Sequence, residues 1–189
     1  MASEAVLFFS LWLQRPLQIA AVSPSSSHLA NAMAGLIDLN RPGLVLELGA
    51  GTGSLTRGLL RAGCPPDRLV IVEREPALAD GLRRNFPSIR TVTGDATRLA
   101  DLFVERGITR LCAVVSSLPI KWFSPIDQRR VVEPCLGRLG PGGRFLQLTN
   151  AFASPLAMNA LGIRGACVAH VWRNLPPGQI WAYSAGDGV

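Results

Sequence analysis

The stretch Pro42-Gly43-Leu44-Val45-Leu46-Glu47-Leu48-Gly49-Ala50-Gly51-Thr52-Gly53 constrains the fold more than any other part of the chain. A five-residue apolar run, bounded by Pro-Gly before it and glycines after it, reads as a buried parallel strand. Gly49, Gly51 and Gly53 stand at every second position, so the backbone can turn tightly, come close to a ligand and open into a helix. A strand, a glycine loop and a helix in that order belong to an open α/β sheet. Such a sheet carries its ligand crevice at the carboxyl ends of its strands.

The rest of the chain repeats that alternation. Helix is expected from about 27 to 37, 53 to 62, 76 to 85, 99 to 106 and 126 to 139, the last kinked by Pro134. Strands are expected at Leu44–Leu48, Leu69–Glu73, Thr91–Thr93, Leu111–Ser116 and Arg144–Thr149, the last entered through a tight turn at Gly140-Pro141-Gly142-Gly143. Residues 167–173 and 179–184 should pair as a hairpin around Leu175-Pro176-Pro177-Gly178. The expected fold is α/β and Rossmann-like: a mostly parallel seven-stranded sheet with a C-terminal antiparallel hairpin. A length of 189 residues with 48% hydrophobic and 17% charged residues suits one domain, 1–189, and excludes a disordered chain.

Residues 1–26 form a segment of their own ahead of the core at 27–189. Residues 4–14 should form an amphipathic helix with a wide apolar face carrying Phe8, Phe9 and Trp12, ended by Pro16. The run is too short to span a bilayer, which takes about 20 residues. Charge follows it rather than preceding it, which is the wrong order for a signal peptide. The expectation is a segment that binds a membrane surface and covers the active site.

Charge points to a polyanionic partner without choosing one. The net charge is +6, and Lys121 is the one lysine among nineteen basic residues. Nucleic acid and an anionic lipid leaflet fit equally well on that evidence. The four cysteines form no C-x-x-C pair and only two histidines are present, so no metal site is expected and a reduced, cytosolic setting fits best.

The acids decide between ligands for the glycine loop, for which a nucleotide phosphate is the competing reading. Glu47 lies two residues before the first glycine, where a carboxylate would repel a pyrophosphate and would suit an ammonium. Glu73 closes the second strand, where it can accept hydrogen bonds from both ribose hydroxyls. Asp95, after the third strand in Gly94-Asp95-Ala96, can accept from an adenine amino group. Together they indicate S-adenosylmethionine, held by Glu47, Gly49, Ala50, Gly51, Gly53, Glu73, Arg74, Asp95 and Ala96. S-adenosylhomocysteine is then the product.

Ser116-Ser117-Leu118-Pro119-Ile120 follows the fourth strand and should face the methyl donor. Amino-methyltransferases of nucleic acids place Asn or Asp, then Pro, then Tyr or Phe there. This chain offers Ser117 and Ile120, with neither amide nor ring, so base stacking is poorly supported. Trp122 and Phe123, just beyond, could form a displaced platform, but read rather as packing or lipid-touching residues.

Several segments in order carry a family resemblance: Phe9-Ser-Leu-Trp-Leu-Gln-Arg-Pro-Leu17, Ala21-Val-Ser-Pro-Ser-Ser26, the glycine loop, Val72-Glu-Arg-Glu75, Gly94-Asp-Ala96, Ser117-Leu-Pro119 and Val171-Trp-Arg-Asn-Leu-Pro-Pro177. Together they resemble the bacterial phospholipid N-methyltransferases, which are similar in sequence to rRNA adenine dimethyltransferases. The resemblance implies stepwise methylation of phosphatidylethanolamine toward phosphatidylcholine. It places the enzyme in the cytoplasm, peripherally on the inner face of the bacterial cytoplasmic membrane, with no nucleic-acid partner. It implies a catalytic side formed by Ser117, Leu118, Arg173 and Asn174. The chain departs from that family's Thr-Tyr-Gly-Pro after the fifth strand, having Thr149-Asn150-Ala151-Phe152. The alternative reading is an rRNA adenine N6-dimethyltransferase. An enzyme of that kind would have an aromatic after Ser117-Leu-Pro119 and a C-terminal helical RNA-binding domain.

Overall fold

A computed structural model describes residues 24–172 and 177–185. The expected helix at 4–14, and Arg173 and Asn174, lie outside the described residues. The elements in order are α1 (Pro24–Ala34), β1 (Leu44–Leu48), α2 (Ser54–Arg61), β2 (Leu69–Glu73), α3 (Pro76–Asn85), β3 (Arg90–Thr93), α4 (Leu99–Glu105), β4 (Leu111–Ser116), α5 (Pro125–Leu136), β5 (Leu139–Thr149), α6 (Met158–Leu161), β6 (Ile163–Val171) and β7 (Gly178–Ala185).

The strands form one seven-stranded sheet in the order β3-β2-β1-β4-β5-β7-β6. The ladders from β3 through β5 are parallel, and β7 runs antiparallel to both β5 and β6. Parallel strands covered on both faces need no polar side, and β2 and β4 are buried along their whole length. Alternate residues of one strand therefore enter different cores. Leu46, Leu48, Val70, Val72, Val114 and Phe145 pack under α4 and α5 with Leu99, Phe103, Val131 and Val132. Val45, Leu69, Ile71, Ala113, Val115 and Leu146 pack under α1, α2 and α3 with Leu29, Met33, Leu59 and Leu82.

Several boundaries differ from the sequence expectation. Helix α1 covers 24–34 rather than 27–37, because Pro24 suits a first helical turn and the chain beyond Ala34 tightens into Leu36 N–H to Met33 O and Ile37 N–H to Ala34 O contacts. Helix α5 runs past Pro134 and stops at Leu136, where Gly137 follows and the Arg138 N–H turns to Cys135 O in a tighter closing turn. The Gly140-Pro-Gly-Gly143 segment is no turn ahead of a strand but part of β5. Leu139 and Arg144 pair with Leu111 and Ala113, so the extra residues form an irregularity inside the strand, with Gly142 at φ +71°.

The strand order reverses between β1 and β4, and in sheets of this kind the crevice above such a reversal takes the ligand. The first residues of the loops there are tied level with one another. Gly49 N–H donates to Val72 O, Gly94 N–H to Glu73 O, and Ser117 N–H to Leu48 O. The glycine loop, the Asp95 turn and the Ser117 turn thus leave the sheet at one height.

Candidate active site

The glycine loop is held from below by Glu73. Its buried carboxylate accepts the Gly51 N–H at 2.9 Å through one oxygen and the Glu75 N–H at 3.0 Å through the other. Gly51 has φ +57°, and a Cβ built there would meet nothing within 4 Å, so the loop faces open space at that point. Gly49, at φ +73°, would drive a Cβ to 2.9 Å from the Leu118 side chain. The cofactor loop and the acceptor loop therefore touch, and a side chain at 49 would push them apart.

Glu47 sits at the end of β1 with no exposure. One carboxylate oxygen accepts the Thr56 hydroxyl at 2.8 Å. Among the described residues the other, Oε1, has no partner. Burial pushes the Glu47 carboxyl up to about 7; the Thr56 hydrogen bonds and Arg57 pull it down, and neighbouring Glu73 adds to the rise. A buried carboxylate with one free oxygen is suited to an arriving cation. Asp95 uses Oδ1 to accept from Thr97 N–H and Thr97 Oγ1, both at 2.9 Å, which caps the single turn Ala96–Arg98 and leaves Oδ2 for a ligand. Ala96 is buried beside it. Ala50 is buried in the core that contains Leu55, whereas Arg74 is exposed.

The orphaned oxygen of Glu47, the open face of Gly51 and the acids at the ends of three neighbouring strands fit the S-adenosylmethionine expected from the sequence. When bound, that cofactor supplies an electrophilic methyl group on a sulfonium. Glu47 would face its ammonium, Glu73 its ribose and Asp95 its adenine.

On the acceptor side, Ser117 Oγ donates to Gly49 O at 2.6 Å, so its hydroxyl proton belongs to the glycine loop and its lone pairs remain for a substrate. Leu118 N–H reaches Ser116 Oγ at 3.4 Å. Ile120 is buried in the core rather than spread over the site, whereas Trp122 is 57% exposed. Sequence reasoning passed over Gln147, on β5 beside Ser116, whose Nε2 donates to Leu118 O at 2.9 Å. A lone glutamine in Phe145-Leu-Gln-Leu-Thr149 carries no sequence signal; the strand pairing reveals it. It also passed over a small cleft at the carboxyl ends of β5 and β6, lined by Asn150, Phe152, His170, Trp172 and Gln179.

This fold and this site define a class I methyltransferase dependent on S-adenosylmethionine. Residues 45–143 match the methyltransferase domain model, and the chain belongs to that family. It is 33% identical over 146 residues, 76% of each chain, to an ornithine lipid N-methyltransferase of Singulisphaera acidiphila. It is 30% identical over 82 residues to ribosomal RNA small subunit methyltransferase A of Chlorobium limicola, covering 43% of this chain and 29% of that protein. Among solved structures it is similar to the 1,6-didemethyltoxoflavin-N1-methyltransferase of Burkholderia thailandensis, solved with S-adenosylhomocysteine. There the TM-score is 0.66 at 18% identity, over 96% of this chain and 89% of that one.

Proposed function

We propose that the chain methylates the amine of a membrane lipid headgroup, taking phosphatidylethanolamine stepwise toward phosphatidylcholine at an anionic membrane surface. The observation that carries this reading is the acceptor loop. Where a base-methylating enzyme would present an amide and a ring, this chain has a serine bound to the glycine loop and a buried Ile120. The loop can hold a small amine but offers no platform for a base. The likeness to an ornithine lipid N-methyltransferase supports an amino lipid.

The carboxyl edge of the sheet supports a lipid as well. Trp122, Phe152 and Trp172 are 57%, 89% and 72% exposed, and all follow strands that end at this edge. Lys121 lies 5.5 Å from the centre of the Trp122 ring, and His170 stacks on Trp172 at 5.8 Å. Exposed aromatics, one of them beside the Lys121 cation, favour the boundary between headgroups and acyl chains. The proposed association is peripheral, at the inner face of the cytoplasmic membrane; among the described residues no helix is long and apolar enough to cross a membrane. Arg173 and Asn174 are assigned to the substrate side by resemblance to the family, and the planar fork of Arg173 suits the lipid phosphate.

The residues would act by positioning. The Ser117 oxygen accepts an N–H of the amine, turning its lone pair toward the methyl donor, while the Leu118 carbonyl is held by Ile120 N–H at 2.8 Å and Gln147 Nε2 at 2.9 Å. Burial against a cationic donor lowers the pKa of the amine, so it enters neutral. The amine nitrogen forms the N–C bond as the C–S bond breaks, and the product ammonium gives its proton to solvent before another round.

The test is to offer labelled S-adenosylmethionine together with vesicles of phosphatidylethanolamine, vesicles of ornithine lipid, and ribosomal RNA. Label in phosphatidylethanolamine is the expected result. Label in ornithine lipid alone keeps the lipid class and changes the substrate. Label in RNA alone overturns the proposal.

A further inference from the structure

We infer that Gln147 supplies from β5 the amide that the acceptor loop itself lacks: its Nε2 fixes the Leu118 carbonyl, and its Oε1 is a second acceptor for the substrate amine. The inference rests on the amino-lipid reading above and concerns how the amine is held at each round of methylation.

Gln147 has no exposure and lies between Ser116 on β4 and Trp181 on β7. Its Nε2 approaches two carbonyl oxygens, Leu118 O at 2.9 Å and Leu148 O at 2.6 Å. A carbonyl oxygen can only accept, so the nitrogen must face both and the orientation of the amide is settled by its neighbours. Oε1 is therefore turned away from them, and among the described residues it has no hydrogen-bond partner. An orphaned buried oxygen costs stability, and folds keep such atoms mainly where water, an ion or a ligand completes them.

Gln128 shows what a purely structural glutamine looks like in the same molecule. It is also buried, its Nε2 donates to Ile120 O at 3.0 Å, and its Oε1 accepts the Ala157 N–H at 2.9 Å. Both ends are used. Gln147 differs in the one atom left over, and that atom is one amide width from the nitrogen that grips the acceptor loop. Glu47 Oε1 is the corresponding orphan on the cofactor side, at the end of β1. Gly49 and Leu118 bring the two loops into contact between them.

Chemistry makes the arrangement selective for the methylation stage. A neutral primary amine has two N–H groups and engages Ser117 Oγ, whose own proton goes to Gly49 O, and Gln147 Oε1 together. After one methyl transfer a single N–H remains and one acceptor suffices. A dimethylated amine enters with its lone pair and no N–H, and gains nothing from either oxygen. Gln147 should thus matter most for the first methyl and least for the last.

Gln147→Met keeps the length and approximate volume of the side chain and removes both polar atoms. Initial rates are measured on vesicles of phosphatidylethanolamine and of its monomethyl and dimethyl forms. Melting temperature and S-adenosylhomocysteine affinity are measured alongside. The expected result is a loss of roughly ten- to a hundredfold on the primary amine, a smaller loss on the monomethyl lipid and the smallest on the dimethyl lipid, where only the hold on the Leu118 carbonyl is gone, with cofactor affinity unchanged. If Gln147→Met does not fold, Gln147→Leu carries the same comparison, since it too fills the site and lacks both polar atoms. An equal loss at every stage the parent performs, or no loss at all, overturns the inference. A parent enzyme that methylates none of the three lipids overturns instead the reading on which it rests.

Discussion

Glu47 is the residue at which stability and ligand binding pull in opposite directions. Its carboxyl titrates near 7 in the folded chain against an ordinary value of 4.5. Below about pH 4.5 it is protonated in both states and costs nothing. Between 4.5 and 7 the unfolded chain gives up a proton that the folded chain keeps, so stability falls as pH rises. Above 7 the full penalty stands, on the order of 3 kcal/mol. Glu47→Gln should therefore raise the melting temperature of the ligand-free protein at pH 8, with the gain gone by pH 4.5, while weakening S-adenosylhomocysteine binding. A lower melting temperature at pH 8 would contradict the assignment. Because an arriving ammonium favours the carboxylate, cofactor binding near pH 6 should release a proton, seen as a buffer-dependent heat in calorimetry. Glu73→Ala removes the acceptor of the Gly51 and Glu75 amides as well as the proposed ribose contact, and should cost roughly ten- to a hundredfold in cofactor affinity. Unchanged affinity would remove Glu73 from the site. These acids were legible in the sequence because each stands at or just beyond the end of an apolar run. Gln147 was not, because its meaning lies in what β4 places beside it.

At the scale of elements, packing between α1 and α2 is set by one missing side chain. A Cβ built at Gly58 would lie 2.5 Å from the Ala30 Cβ, so the two helices approach as closely as their backbones permit. Gly58→Ala gains helix propensity, worth up to about 1 kcal/mol, but must push α1 away from a core containing Leu29, Met33 and Leu59. Overpacking of this kind costs roughly 1–3 kcal/mol, so a net loss of stability is expected in denaturant unfolding. A stabilised variant would mean that α1 moves freely. The buried strands were readable because a parallel strand covered on both faces is apolar without interruption. The errors fell where local chemistry and pairing disagree. Gly140-Pro-Gly-Gly143 has turn composition, yet pairing with β4 carries it into β5 as an irregularity. Strand β6 starts at Ile163, earlier than expected, because Gly165 and Ala166, poor strand formers alone, are paired with Tyr183 and Ala182 of β7.

Taken whole, the described residues place the exposed aromatics Trp122, Phe152 and Trp172 at the carboxyl edge of the sheet, the end where the substrate would enter. That asymmetry has a measurable consequence if the substrate is a lipid. Phe152 and Trp172 are 89% and 72% exposed and flank the cleft at the ends of β5 and β6. Rings of this size bury roughly 150–250 Å² each, and at about 25 cal/mol per Å² two of them contribute several kcal/mol to an interface even when they enter only partly. The net charge of +6 adds an attraction to anionic lipid that salt weakens. Phe152→Ser with Trp172→Ser should therefore cut sedimentation with anionic vesicles at least about tenfold. Melting temperature and S-adenosylhomocysteine affinity should not change, since neither ring is packed in a core. Brominated lipids should quench tryptophan fluorescence in the parent, and less in Trp172→Phe. If the double variant binds vesicles as tightly as its parent, the contact lies elsewhere. The aromatic run of Phe8, Phe9 and Trp12, outside the described residues, is then the segment to delete. Loss of vesicle binding on deleting residues 1–14, with a normal melting temperature, would move the membrane contact from the rim to that segment.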